Sequence, residues 1–425
     1  MIASPMASQV DTTPNSKTAT PGTAGRFAGK RVAMVTFSAY PFDPRPRRAI
    51  DALVSEGATV DLICLEGDGQ PRRENLPNIR VSRIPLKHMR RGKWDYAFRY
   101  SAFIFISLVI FAFRTFGKRY DLVHVHNMPD VLVVSGIIPK WFGAKVVLDL
   151  HDPMPELMTT IFRTSADSGS VKLLKRLEKW SIARADLVIT VNLACKHIFS
   201  RRSCSPEKIA VVMNSPDTQI FPYRMADEAP KSRGAGAKPF VVMYHGSLVE
   251  RNGLEVAVDA LAQIRETVPD AILHVFGGRT EFLDRVMEKV RSLGLENRVT
   301  YFGPRNLEHL YSEIDKCDVG VIPNHRNPFT DINTPTRIFE YLARGKAVIA
   351  PSTSGIVDYF DADSLMYFDA GNSMDLAKQI EFAATHPEKL LEVARRGQGI
   401  YKEHTWEMEK ETLLSRMSGI LPQGK

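Results

Sequence analysis

The sequence predicts an α/β protein built from two parallel-sheet domains that face each other across a cleft. Three observations lead there. A chain of 425 residues is too long for a single hydrophobic core. Short runs rich in Val, Ile and Leu alternate with longer helical stretches, the pattern of parallel sheets covered by helices. That alternation breaks once, at Asp217–Lys238, where Pro222, Pro230, Gly234, Gly236 and several charges read as a linker.

Residues 1–28 are rich in Ser, Thr, Ala and Pro and are expected to form a disordered leader, not a signal peptide. A first domain is expected over 29–216. Its strands are predicted at Arg31–Phe37, Thr59–Leu65, Leu122–His126, Lys145–Leu150, Leu187–Val191 and Ile209–Met213, with helices that include Arg47–Glu56 and Lys172–Ala185. After a linker over 217–238, a second domain is expected over 239–400. Its strands are predicted at Phe240–Tyr244, Ala271–Phe276, Val299–Phe302, Val319–Ile322 and Ala347–Ala350. A tail over 401–425 holds a last helix near Trp406–Met417. The four cysteines, Cys64, Cys195, Cys204 and Cys317, have no paired or zinc-like spacing, which fits reduced thiols and a cytoplasmic location.

The most telling segment of the second half is Thr334-Pro335-Thr336-Arg337-Ile338-Phe339-Glu340. Thr334 reads as an N-cap, Pro335 suits the first helical position, and the opening turn carries no acid. Free backbone N–H groups and the positive end of the helix dipole there suit a diphosphate. Glu340 follows one and a half turns later, within reach of hydroxyls beyond the phosphates. Upstream, Gly246 and Ser247 close a strand and Arg251 brings charge near them; Gly246 permits close backbone approach to a ligand. Gly277 ends the next strand. Pro304 and Arg305 follow another, with backbone placed to read base edges.

In the first half, the apolar strand Leu148-Asp149-Leu150 ends in His151-Asp152-Pro153-Met154-Pro155-Glu156. His151 can hydrogen-bond a sugar hydroxyl or face charge near a reacting carbon, while Asp152 or Glu156 orients it or receives a proton. Arg45 and Arg47, in the loop after the first strand, are candidates for holding a phosphate of acceptor or donor. His126 and Asn127, at another strand end, are secondary candidates. No ligand cluster has metal spacing, so no metal is expected. The absence of G-x-G-x-x-G removes the main support for dehydrogenase chemistry.

These segments, in this order, resemble the retaining, nucleotide-sugar-dependent glycosyltransferases of family 4 over roughly residues 30–420. The resemblance implies the GT-B fold, with two Rossmann-like domains and a last helix that returns to the first. It implies a nucleotide-diphosphate sugar as co-substrate, no cofactor, and metal-independent transfer to a hydroxyl acceptor. It also implies that Thr336, Arg337 and Ile338 at the helix start hold the diphosphate, that Glu340 contacts the nucleotide ribose, and that His151 lies close to the donor sugar. The chain departs from the family pattern at Ser247 and Asn252, where Arg and Lys are usual, and at Ile332, where many members carry a first glutamate. Asp331 and Asn333 flank that gap and are the donor-sugar candidates. These departures also admit a catalytically silent scaffold in a polysaccharide-assembly complex. A nucleotide-sugar epimerase of the same fold is a further alternative.

The net charge of +8 is concentrated. Between Arg83 and Arg119 stand nine Lys or Arg residues and one acid, Asp95. Inside this region, Ser101–Phe113 carries no charge. As a helix it would span roughly 20 Å, short of the ~30 Å hydrocarbon core. Two readings stand: a buried helix of the α/β domain, or a peripheral contact in which Arg90, Arg91, Lys93, Trp94, Phe103 and Phe105 meet an anionic membrane surface. The second places the protein on the inner face of the plasma membrane, with a glycan or lipid-linked acceptor in bacterial polysaccharide synthesis. No nucleic-acid module is recognisable, so a nucleic-acid partner is not expected.

Overall fold

The computed structural model describes residues 25–86, 93–227 and 238–422. The first domain contains β1 (Arg31–Ala39), β2 (Thr59–Leu65), β3 (Arg73–Leu76), β4 (Ile79–Ile84), β5 (Leu122–His126), β6 (Lys145–Leu150), β7 (Leu187–Thr190) and β8 (Ile209–Val211). They pair in the order β3-β4-β2-β1-β5-β6-β7-β8. The β3–β4 hairpin is antiparallel and was not anticipated, because β3 is an edge strand that alternates between exposed and half-buried residues and has no apolar run. The second domain contains β9 (Phe240–His245), β10 (Ala271–Phe276), β11 (Val299–Gly303), β12 (Val319–Val321), β13 (Ala347–Pro351) and β14 (Met366–Phe368). Their order is β11-β10-β9-β12-β13-β14, and every pair is parallel. The three-residue β14 escaped the sequence reading.

Alternation along β1 explains the layering. Val32 and Met34 enter one apolar cluster, while Ala33 and Val35 enter the other, so helices cover both faces of the sheet. Every residue of β5 and β9 is buried, and the polar ends of such strands carry the site.

The chain's borders differ from expectation. Phe27 is fully buried in the first core and its N–H donates to Glu56 O at 3.0 Å, so the leader cannot extend to 28; residues 1–24 lie outside the described residues. Within the expected linker, Phe221 packs in a second-domain cluster, Arg224 N–H donates to Ala343 O (2.8 Å), and Ala226 N–H donates to Gln398 Oε1 (2.9 Å). Residues 228–237 lie outside the described residues. The helix Trp406–Gly419 lays Leu413, Leu414 and Met417 into the first-domain core.

The helix Lys93–Gly117 has 25 residues and reaches well beyond the uncharged run. Phe103, Ser107, Phe111 and Thr115, spaced by four, are buried against the sheet. Phe103 is therefore a core residue and not a membrane contact. The outward face holds Phe98, Phe105, Phe113 and Phe116, all more than 60% exposed. Phe98–Gly117 is long and apolar enough, by length and composition, to cross a membrane, which corrects the short span expected; its packed inner face ties it to the domain. Arg90 and Arg91, and the side chains of Lys93 and Trp94, lie outside the described residues.

Candidate active site

The C-terminal ends of both sheets border a cavity of about 450 Å³. Asp43, Arg45, His151 and Asp152 line it from the first domain, and Thr336 and Glu340 from the second.

The first-domain wall begins with Asp43, whose carboxylate accepts the Arg45 N–H at 3.2 Å and caps the helix Pro44–Ser55. Arg45 and Arg47 thus sit in the opening turn of that helix, not in a loop, and both line the cavity. Arg48 is half-buried beside them. It donates to Asn214 Oδ1 (3.2 Å) and to Ser215 O, with its guanidinium 4.9 Å from the Trp406 ring centre. Burial lowers its pKa to about 10, which leaves it a cation near neutral pH.

The ends of β5 and β6 meet in a buried histidine cluster. Nδ1 of His126 and Nε2 of His151 share a hydrogen bond at 3.0 Å, and Nε2 of His124 lies 3.3 Å from Asp149 Oδ2. Asn127 ties the two strand ends together: its Oδ1 accepts the His151 N–H at 2.9 Å, and its Nδ2 donates to Asp130 Oδ1 and Asp152 O, each at 3.0 Å. His126 and Asn127 are therefore supports beneath the cavity wall and not acceptor contacts. Neither ring nitrogen of His151 opens into the cleft, since Nδ1 is buried 3.6 Å from Asp149 Oδ1.

Burial, then Arg45, holds the His151 imidazole well below its ordinary pKa; burial, then His124, does the same to His126. Both rings are neutral. Burial alone would raise Asp149, but the hydrogen bond from His124 and the neighbouring imidazole of His126 outweigh it and hold the carboxyl low. His124, His126 and Asp149 each offer a ligand atom within 4.8 Å of the others. This corrects the expectation that no cluster has metal spacing. The carboxylate is already engaged by the imidazoles, so the same atoms also serve as a hydrogen-bonded support, with His124 Nδ1 and His126 Nε2 left unpartnered.

Asp152 and Glu156 part ways. Asp152 lines the cavity, its pKa raised by burial and opposed by Arg45 and, from the second domain, Arg251. The Glu156 carboxylate instead accepts two bonds from Arg202, at 2.6 and 3.0 Å, and Arg202 also pairs with fully buried Glu178. Glu156 therefore fixes its helix and takes no part in the cavity chemistry.

The second-domain wall is shaped by backbone. The helix Thr336–Ala343 starts one residue later than expected: Pro335 occupies the N-cap, and no side chain caps it. The Thr334 hydroxyl donates to Gly355 O instead. Arg337 donates to His245 O (2.9 Å) and Asn324 Oδ1 (3.3 Å), lying 3.1 Å from where a Cβ on Gly246 would stand. It fills the space beside Gly246 and supplies a charge there, with Ser247 exposed. Asn252 Nδ2 braces the same loop by donating to Ser247 O at 2.8 Å. A Cβ on Gly277 would fall 2.2 Å from Gly246 O, so these two turns require glycine at close approach. Arg305 donates to Phe302 O, beside the stacked Phe276 and Phe302 rings.

Glu340 stands at the cavity floor with Oε2 3.3 Å from His245 Nε2. Burial pushes its pKa up to about 7, against the pull of Arg337 and Arg48. Burial, then Arg337, pushes His245 down to about 3, so that imidazole is neutral. Asn333 lines the cavity, whereas Asp331 turns to Arg326 (3.1 Å) and the Ser354 hydroxyl (2.7 Å). Asn192 of the first domain donates to Ile332 O (2.8 Å) and Thr334 Oγ1 (3.0 Å), and Leu193 N–H donates to Tyr359 OH (2.8 Å). No local pattern marks Arg48, Asn192 or His245, because each acts through a contact distant in the chain.

Two parallel-sheet domains with phosphate-sized backbone turns on one wall and titratable side chains on the other define the GT-B class. Residues 47–220 match the family model Glycosyltransferase Family 4, and residues 225–399 match Glycosyl transferases group 1. The chain belongs to the family 4 glycosyltransferases. It is 25% identical to D-inositol 3-phosphate glycosyltransferase of Corynebacterium aurimucosum over 63% of this chain and 64% of that one. It is 23% identical to the Corynebacterium diphtheriae enzyme of the same name, over 56% of each. The chain thus spans less than two thirds of the length of these curated relatives. Among solved structures, sucrose-phosphate synthase from Thermosynechococcus elongatus aligns with a TM-score of 0.71 at 19% identity, covering 92% of this chain and 98% of that one. HepE from Anabaena, solved with UDP-glucose, aligns with a TM-score of 0.67 at 19% identity, covering 92% and 100%.

Proposed function

We propose that this protein transfers a sugar, with retention of anomeric configuration, from a nucleotide-diphosphate donor to a hydroxyl on a lipid-linked or membrane-proximal glycan in bacterial polysaccharide synthesis. The carrying observation is the uncapped start of the helix Thr336–Ala343, with Arg337 locked beside Gly246, facing Asp152 and Arg45 across the cavity. The helix N–H groups and Arg337 hold the diphosphate, and Glu340 accepts hydrogen bonds from the ribose hydroxyls. Arg251 stands near Asp152, where it steadies charge between the walls. As the sugar leaves, charge develops on the diphosphate, which helps to deprotonate the acceptor hydroxyl on the same face. Asp152 orients that hydroxyl, and His151, resting on His126, shapes the wall beside the sugar.

The reaction needs no metal if Arg337, Arg251 and the helix start neutralise the leaving group. Full activity in chelator-treated protein supports that, and strict dependence on added divalent metal refutes it. The exposed Phe98, Phe105, Phe113 and Phe116 face supports peripheral attachment to the inner face of the plasma membrane, close to such an acceptor. Thermal shifts with UDP, GDP, ADP, dTDP and CMP at millimolar concentration test the donor site. At ~100 times its Kd a ligand adds roughly 2.7 kcal/mol. A shift with one diphosphate that vanishes in Glu340→Ala supports the reading. No shift with any of them moves the protein to the silent scaffold, which the departures at Ser247 and Ile332 favour.

A further inference from the structure

We propose that a second cavity, about 550 Å³ and remote from the cleft, binds a phosphate-bearing group, and that its occupant is the headgroup of an anionic membrane lipid. This inference rests on the membrane contact proposed above. The cavity lies where β1, β2 and β4 begin, whereas the cleft lies where the parallel strands end.

Its walls hold four cations, Arg31, Arg80, Arg114 and Lys118, and one acid, Asp61. Asp61 is already engaged. Its Oδ2 accepts from Tyr120 OH (2.7 Å) and from Arg31, and Arg80 Nε stands 3.7 Å from its Oδ1. Arg31 turns its other terminal nitrogen to the Lys118 carbonyl at the end of the long helix. One carboxylate therefore faces four positive charges.

Arg114 makes the imbalance specific. Its Nη2 donates to Ser82 Oγ at 2.6 Å, while Nη1 is buried without a hydrogen-bond partner. A guanidinium held in the wall without an anion is costly, and an anion in the cavity offsets that cost. Arg80, with 57% of its side chain exposed, and exposed Lys118 are the donors that a phosphate can reach.

The surroundings select a lipid over a free ion. Arg114 lies in the last turn of the helix whose outward face carries Phe113 and Phe116, and Lys118 directly follows its end. Phe116 meets the Phe142 ring at 5.3 Å, and neighbouring Trp141 is 75% exposed. A headgroup in the cavity leaves its acyl chains over this aromatic surface, with basic residues at headgroup level.

The test is cosedimentation of the full chain at low salt with vesicles of phosphatidylcholine alone or mixed with phosphatidylglycerol. The wild type is expected to favour the anionic vesicles by about tenfold or more. The double variant R80Q/K118Q should lose that preference while keeping its residual binding to phosphatidylcholine and its nucleotide-induced thermal shift. Preference retained in R80Q/K118Q overturns the cavity. A thermal shift with sn-glycerol 3-phosphate that R80Q/K118Q abolishes, without any vesicle preference, assigns the cavity to a soluble phosphate and overturns the lipid. Wild-type protein that binds neither vesicle refutes the membrane contact itself. Vesicle binding lost in F113S/F116S but unchanged in R80Q/K118Q refutes the cavity and leaves the membrane contact standing.

Discussion

The two walls of the cleft solve the same electrostatic problem by different means. On the second domain, close backbone turns at Gly246 and Gly277 and the bare start of a helix do most of the shaping, and Arg337 adds the charge. On the first domain, three imidazoles, an amide and two carboxylates are linked by hydrogen bonds, and of the strand-end residues His151 and Asp152 line the cavity, beside Asp43, Arg45, Arg47 and Arg48 of the neighbouring helix start. A wall made of backbone admits few substitutions but serves any diphosphate. A wall of layered side chains can change its outermost member while the supports stay.

The comparison breaks first at the glycines. Gly277→Ala drives a methyl group into Gly246 O, and we expect loss of more than about 3 kcal/mol of stability together with the nucleotide-induced thermal shift. A variant that still responds to UDP would show that the turn is not the diphosphate cradle. Arg337→Ala should weaken nucleotide binding by about 2–4 kcal/mol, readable by calorimetry, while the fold stays intact. On the opposite wall, His151→Ala removes a ring that shapes the wall and should lower turnover by up to about 100-fold through misplaced reacting groups, leaving nucleotide affinity unchanged. An equal loss of affinity would place His151 in the donor site instead.

Glu156→Gln sharpens the contrast within the first wall. It removes the charged partner of Arg202 and should cost about 1–3 kcal/mol in urea unfolding, with catalysis per folded molecule unaltered. The smallest effect is in pH. His126 and His151 have folded pKa values below their unfolded ones, so the unfolded chain gains protons first as pH falls below about 6.5. Stability present above that pH is then lost from the first domain, by up to about 1.4 kcal/mol per unit per histidine. Asp130 of the first domain and Glu340 of the second, both raised to about 7 by burial, gain stability as pH falls and offset each other, so the contrast rests on two lowered histidines in the first domain against His245 in the second. Limited proteolysis at pH 5.5 should therefore cut the first domain sooner. Prior cleavage of the second would reverse the assignment.

Most strands were legible in the sequence because parallel strands buried on both faces leave continuous apolar runs; β1, β6 and β10 are read to within two residues. The β3–β4 hairpin and β14 were not, since an edge strand or three residues carry too little periodicity. The turns of the second wall were legible because they are made of backbone: Gly246 and Gly277 are local signals, whereas the helix start fell one residue later than expected. There Thr334 was misassigned, because its hydroxyl finds Gly355, twenty-one residues away. The first wall was read only in outline. Spacing put His126, Asn127 and Glu156 at strand and helix ends, but only packing decides that they face His151, Asp152 O and Arg202.

The hydrogen bonds from Asn192 and Leu193 carry a consequence for how such proteins diverge. Asn192 uses its Oδ1 to cap its own helix through Cys195 N–H and its Nδ2 to hold Ile332 and Thr334 of the other domain; Tyr359 of that domain receives the next N–H. The segment 332–334, which borders the cavity, is thus a joint possession of both halves. A chimera that exchanges one half for a relative's inherits a mismatched seam unless residues 192–193, 332–334 and 359 travel as a set, so the two walls of the cleft cannot drift independently.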